Sequence, residues 1–250
     1  MSLRIGTRIF IPSLPLTLLT VIVLGILVSL GRWQLRRADE KQVLYTAFAS
    51  GGGATLTVTG TTRPLPRYQH VEARGHYDPD HQVLIDNMTS SDGRAGYYVL
   101  TPLALEAGGW LLVNRGWVPL TSSRRILPDV GVGAASRVVH GRTDHLPVPG
   151  IHMGTPAALA APFPAVATYP GVAELAAVLG VERLAPAGEV VLLDAAEPDG
   201  YLRQWSPPGL PPLRHLAYAV QWFGLALTLV VIWFVTNLRR APASAAAGER

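Results

Sequence analysis

The chain has 250 residues, 49% of them hydrophobic, yet only 15% are charged, against about a quarter in an ordinary soluble domain. Cysteine is absent, which excludes disulfides, thiolate metal sites, covalently attached C-x-x-C-H haem and thiol catalysis. The net charge of +4 and pI near 9.7 do not point to nucleic acid, because Arg32, Arg36, Arg37, Arg239 and Arg240 all flank apolar runs, where basic residues anchor helices at a membrane interface.

Two runs, Ile9 to Gly31 and Leu216 to Leu238, are each 23 residues long with no Asp, Glu, Lys, Arg or His. At 1.5 Å per residue such a run spans roughly 34 Å, enough to cross a hydrocarbon core of about 30 Å. The expected organisation is a tail over 1–8, a first transmembrane helix over 9–31, one extramembrane domain over 32–215, a second transmembrane helix over 216–238 and a tail over 239–250. The first run is longer than the 7–15 apolar residues of a signal peptide and is followed by Arg32, Arg36, Arg37 and Lys41, so an uncleaved anchor is expected. Two spans put both tails on one side of the membrane, and the basic residues flanking the runs are too evenly divided to say which.

Pro12 and Pro15 fall in the first turns of the first helix, where a missing N–H costs little. Trp33 to Phe48 contains no Gly or Pro, and Leu44, Ala47 and Phe48 recur at helical spacing, so the helix is expected to continue to about residue 49. Ser50-Gly51-Gly52-Gly53 then ends it as a linker. Beyond it come eight short β-rich runs: Thr55–Thr59, Val71–Tyr77, Gln82–Asp86, Tyr97–Thr101, Trp110–Asn114, Arg137–His140, Val190–Asp194 and Tyr201–Trp205. They predict an antiparallel sheet or barrel. Turn chemistry at Ser91-Asp92-Gly93 and Pro198-Asp199-Gly200 predicts two hairpins, and Asp78-Pro79-Asp80 a further turn. The proline-rich stretch from Pro147 to Pro170 reads as an irregular excursion. A short amphipathic helix follows, with Val172, Leu175, Ala176 and Leu179 on one face and Gly180 at its end. Residues 243–250 read as a disordered tail. The fold class is thus α+β, with two membrane helices flanking a β-rich domain that carries one short helix.

Catalytic patterns are missing: there is no G-x-S-x-G, H-E-x-x-H, phosphate loop or dinucleotide fingerprint, and no acidic cluster at metal spacing. An enzyme is not expected. His70, His76, His81, His140, His145 and His152 lie beside turns or strands and read as ordinary surface or strand histidines. His215 differs, because it opens the second apolar run. Tyr218 and Trp222 follow at i+3 and i+7, within about a 60° arc of one helix face. On spacing alone this stripe reads first as an interfacial aromatic belt. It also suits a flat apolar ligand such as haem, since a neutral imidazole is a good axial ligand to iron and the macrocycle wants aromatic walls. Arg214, Arg37 and Lys41 are the cations available for its propionates.

In this order, Gly31-Arg32-Trp33-Gln34 with Arg37 and Lys41, the V-x-x-x-G-x-Y of Val71 to Tyr77, Gly96-Tyr97 and Thr101-Pro102-Leu103 resemble the Surfeit locus protein 1 family. So do Leu112-Val113-Asn114-Arg115-Gly116-Trp117-Val118-Pro119 and His215-x-x-Tyr218-Ala219-x-Gln221-Trp222-Phe223. The resemblance implies a two-span protein of the bacterial inner membrane with its main domain periplasmic. It implies an assembly factor for cytochrome c oxidase that helps insert haem a into subunit I, with haem a synthase as a further candidate partner and lipid around the helices. His215 matches the histidine implicated in haem a binding among bacterial relatives, which makes it the expected axial ligand, with Tyr218 and Trp222 as aromatic wall. Arg115 and Trp117 are expected to be fold-forming. The stretch Pro147 to Ala167 departs from the F-x-P-x-N and W-x-x-x-D pattern of many relatives. The competing expectation is a scaffold that stabilises an oxidase assembly intermediate through protein contacts and binds no haem.

Overall fold

The computed structural model describes residues 3–5, 8–60, 63–148, 159, 162–180, 184 and 190–240. In chain order the elements are β1 (Leu3–Ile5), β2 (Arg8–Phe10), α1 (Leu14–Ser50), β3 (Leu56–Thr57), β4 (His70–Tyr77), β5 (Val83–Thr89), β6 (Ala95–Leu105), β7 (Trp110–Pro119), β8 (Ser136–Asp144), β9 (Ala165–Ala167), α2 (Val172–Val178), β10 (Val190–Leu193), α3 (Pro212–Thr236) and β11 (Leu238–Arg240). They form two compact units: Met1–Tyr45 with Pro208–Arg250, and Thr46–Pro207.

The first unit is a helical hairpin. Both α1 and α3 are long and apolar enough to cross a membrane, and most of their apolar side chains face outward, among them Leu18, Val21, Ile22, Ile26, Val220, Leu227 and Val231. Such a surface is stable against lipid and costly against water, so the chain is a membrane protein. The 37 residues of α1 correspond to about 56 Å of helix, well beyond what the hydrocarbon requires, as expected from the unbroken pattern through Phe48.

The two helices run antiparallel, as their contacts show. The backbone N–H of Ser13 donates to Asn237 Oδ1 at 3.0 Å, and the Trp233 indole N–H to Thr17 Oγ1 at 3.1 Å. Lys41 Nζ donates to the Pro208 carbonyl at 2.7 Å. The first helix starts at Leu14, later than the apolar run at Ile9. Residues Arg8–Phe10 are instead the middle strand of a three-stranded antiparallel sheet, β1-β2-β11, which also takes parts of both expected tails. Phe10 packs against Trp233 and Phe234, each ring 5.4 Å away. Residues 243–250 lie outside the described residues.

The second unit is built on an eight-stranded sheet in the order β3-β4-β8-β10-β7-β6-β5-β9, and an additional β4–β6 pairing closes five of those strands into a ring. Strand β6 makes the closure possible by its length. Its first half pairs with β5, and Leu103–Leu105 pair with β4. The sheet is mostly antiparallel as expected, but β3–β4, β5–β9 and β10–β7 are parallel. Inside the ring lie Val71, Ala73, Tyr77, Leu103, Leu105, Leu111, Val113, Val139, Val191 and Leu193. On the other face Val83, Ile85, Leu100, Leu112, Val190 and Leu192 pack with Leu175 and Ala176 of α2. Because successive strand residues face opposite ways, Val190-Val191-Leu192-Leu193 is buried on both sides, which accounts for its unbroken apolar run.

Of the eight expected strands, Tyr201–Trp205 is not one, and Ala165–Ala167 takes its place in the count. Only Leu202 bridges to Trp117. The Arg203 side chain next to it donates to the Asp194 and Glu197 carbonyls. Pro198-Asp199-Gly200 consequently closes no hairpin, whereas Ser91-Asp92-Gly93 does, between β5 and β6. The triple glycine is a cap rather than a free linker. Gly51, Gly52 and Gly53 all have positive φ, and a side chain at Gly51 would fall on the ring of His70.

Candidate functional site

The face of α1 that meets α3 carries Gly31, Gln34 and Ala38, at the spacing of one helix stripe. The facing stripe of α3 carries His215, Ala219 and Ala226. Small residues on both stripes let the backbones approach closely. His215 lies in the first turn of α3, after Pro211 and a proline at the first helical position that costs no hydrogen bond. It is 8% exposed, and its Nδ1 lies 2.8 Å from Gln34 Oε1. Hydrogen bonds between membrane helices average only about 0.6 kcal/mol, so this pair is too weak to be what holds the hairpin together.

The expected site residues divide. Trp222 is half-buried on the same side of α3 as His215, while Tyr218 is 44% exposed. Arg37 is exposed and paired with Glu40 at 2.6 Å. Lys41 is held by the Pro208 carbonyl, which ties α1 to the segment leading into α3. Arg214 is exposed and makes no ion pair among the described residues. The structure thus joins His215 to α1 through Gln34 and places Lys41 beside the chain that enters α3. It shows no contact of Arg37 or Arg214 with His215. No group of three or more His, Asp or Glu side chains suited to a metal ion occurs among the described residues. A metal bound through one imidazole and otherwise held by its own macrocycle fits this donor set, because haem iron needs only axial ligands from the protein.

Gln34 stands within the Gly31-Arg32-Trp33-Gln34 motif, but nothing in the sequence links it to His215. The available signal was an uncharged polar residue between Gly31 and Ala38 on one stripe.

The Asn114-Arg115-Gly116-Trp117 segment does not end its strand but continues within β7. Gly116, at φ +117°, makes the irregularity that lets Leu202 pair with Trp117. Arg115 is 2% exposed. It donates to the Asp199 carbonyl at 2.7 Å, Gln82 Oε1 at 2.9 Å and the Val130 carbonyl at 3.0 Å, and lies over the rings of Tyr201 and Tyr77. Burial lowers its pKa, and Tyr201 and Tyr77 oppose that effect. With its donors spent on protein carbonyls, Arg115 is a fold-forming hub, and so is Trp117, whose indole N–H donates to the Met88 carbonyl at 3.0 Å.

Among the other histidines, His140 sits between two carboxylates, with Nδ1 2.8 Å from Glu197 and Nε2 3.4 Å from Glu72. The Glu197 hydrogen bond raises its pKa. Sequence reading missed this arrangement because the three residues are far apart in the chain. His152 lies outside the described residues. A small cleft of about 150 Å³ is walled by Tyr98, Trp117 and Trp205 and lacks titratable groups other than Tyr98.

The chain matches the SURF1 family over residues 21–227. It belongs to that family. The matched span contains Gln34, His215 and the whole of the second unit. Among SURF1-like proteins, that of Rickettsia bellii is 28% identical over 87% of this chain and 89% of its own length, and that of Rickettsia felis 27% identical over 87% and 95%. Surfeit locus protein 1 of Rattus norvegicus is 24% identical over 86% of this chain and 73% of its own. The resemblance drawn from the quoted motifs is therefore confirmed, and the fold agrees with it: two apolar helices flank a β domain that carries a short helix.

Proposed function

We propose that this SURF1 family member is an assembly factor for cytochrome c oxidase that carries haem a on His215 and delivers it to oxidase subunit I. In this reading the second unit is periplasmic, the hairpin sits in the bacterial inner membrane, and haem a synthase is the source of the cargo. The observation that carries it is His215 itself. It is a buried imidazole at the opening of an apolar membrane helix, with one nitrogen engaged by a neutral side chain and, among the described residues, no carboxylate paired with it. A lipid-facing belt histidine would instead turn its polar atoms toward the headgroups.

Carriage needs no bond-making step from the protein beyond ligation. His215 would supply one ligating nitrogen, Trp222 and Tyr218 would offer ring surface, and Arg214, Arg37 and Lys41 are the cations of that end of the hairpin. A single protein ligand suits a carrier, which must give its cargo up, better than a closed site would.

The test is an absorption spectrum of the full-length protein purified in detergent from cells that make haem a, with haem and protein quantified, beside His215→Ala. Haem a near one per chain in the wild type and lost from a folded mutant is the expected result. A haem-free wild type from such cells overturns the reading and supports the scaffold, which acts through protein contacts alone.

A further inference from the structure

The polar contact inside the helix pair joins one side chain from each helix. Gln34 presents its side-chain oxygen to Nδ1 of His215 at 2.8 Å, and both residues are buried. An amide oxygen can only accept, so this orientation of Gln34 goes with the ring proton on Nδ1. The lone pair is then left on Nε2. Among the described residues His215 makes no other hydrogen bond, so Nε2 is not spent within the protein.

We infer that Gln34 is a positioning residue that holds His215 in the Nδ1–H tautomer and fixes its ring, leaving Nε2 as the ligating atom for haem iron. The inference rests on the reading of His215 as the haem ligand and adds which nitrogen binds and what prepares it. Metal-ligating histidines characteristically donate the other ring N–H to a carboxylate or carbonyl, which sets tautomer, orientation and basicity. A neutral amide gives the same orientation with less charge donated to the ring than a carboxylate would give, and leaves the imidazole a weaker donor suited to handing its cargo on.

The placement of Gln34 supports this role. It stands one turn from Gly31 and one from Ala38 on the buried stripe. The absent side chain at Gly31, against which Phe223 packs, brings the helices near enough for an amide to reach the imidazole.

The experiment uses the full chain in detergent micelles with ¹⁵N-labelled histidine, and assigns the His215 ring signals by their loss in His215→Asn. Wild type is expected to show a protonated Nδ1 and a bare Nε2. Gln34→Glu, which also presents an acceptor, should keep that pattern, and Gln34→Leu should lose it. With purified haem a as the probe, Gln34→Leu should weaken binding 10- to 100-fold and lower the iron–histidine stretching frequency. Gln34→Glu should retain binding and raise that frequency. A wild-type ring protonated on Nε2, or a Gln34→Leu protein indistinguishable from wild type in ring shifts and haem affinity, overturns the inference. If the tautomer is as expected but His215→Ala binds haem a in full, the haem-ligand reading falls instead, and with it the use ascribed to Gln34, while the tautomer stands.

Discussion

Phe223 lies so close over Gly31 that a methyl group added there would sit 2.7 Å from its ring. Gly31 therefore sets how near α3 comes to α1. Gly31→Ala should cost about 1 kcal/mol and Gly31→Leu up to about 3 kcal/mol, read as reduced thermal stability in detergent. Both should also release haem a, because Gln34 moves away from His215 with the helix. Gly25, on the same helix with open space around it, provides the control: Gly25→Ala should leave stability and haem retention unchanged.

Arg115 is the largest fully buried side chain of the second unit. Arg115→Met should destabilise by about 3 kcal/mol or more, since several buried acceptors lose a charged donor together. Arg115→Lys should not rescue it, because one ammonium cannot replace a planar fork that donates in several directions. Urea unfolding of the full chain followed by tryptophan fluorescence checks both.

The proton on His140 is held by Glu197 and, less strongly, by Glu72, which raises its pKa above the ordinary value. A raised folded-state pKa means that the native state binds the proton more tightly than the unfolded chain. The stabilisation is complete below about pH 6.5 and is lost as pH rises through the folded-state value. The melting temperature should accordingly fall as pH rises above about 6.5, and His140→Gln should flatten that slope. The side chain is partly exposed, so the effect is modest and weakens with salt. Tyr77 adds a separate loss at alkaline pH: burial pushes its hydroxyl up to about 12, so stability drops further from about pH 10, where the unfolded tyrosine ionises.

Gly141 of β8 lies against β10, where an added methyl group would come 2.3 Å from the Leu192 carbonyl oxygen. Gly141→Ala should spread the two strands and cost about 2 kcal/mol. Gly93, at the β5–β6 turn with open space around it but φ of +83°, should be penalised by backbone strain alone, about 1 kcal/mol for Gly93→Ala. Comparing the two melting curves separates steric from conformational cost.

Segments whose character is local were legible in the sequence. The two membrane helices, the continuation of α1 to Ser50, the α2 helix and most of the strands follow from apolar period, proline and glycine placement. What depends on distant partners was not. Ala165–Ala167 is a strand because β5 lies beside it, and its alanines and flanking prolines carry no strand signal. Tyr201–Trp205 has the alternation of a strand but only one residue that pairs. At the site, position and residue type singled out His215, whereas Gln34 acquires meaning only once α1 and α3 are seen to pair, 181 residues apart in the chain.

Strand β10 sits between β7 and β8, although both precede it by more than 40 residues. As the chain emerges from the ribosome, β7 and β8 therefore wait with bare hydrogen-bonding edges, and β4, β6, β7 and β8 form an open sheet. Exposed edges of that kind invite pairing with other chains, and closing so distant a contact slows folding. A premature stop anywhere before Val190 would leave the gap permanently unfilled and would remove α3 along with it. Such fragments are expected to aggregate or be degraded rather than persist as a soluble domain.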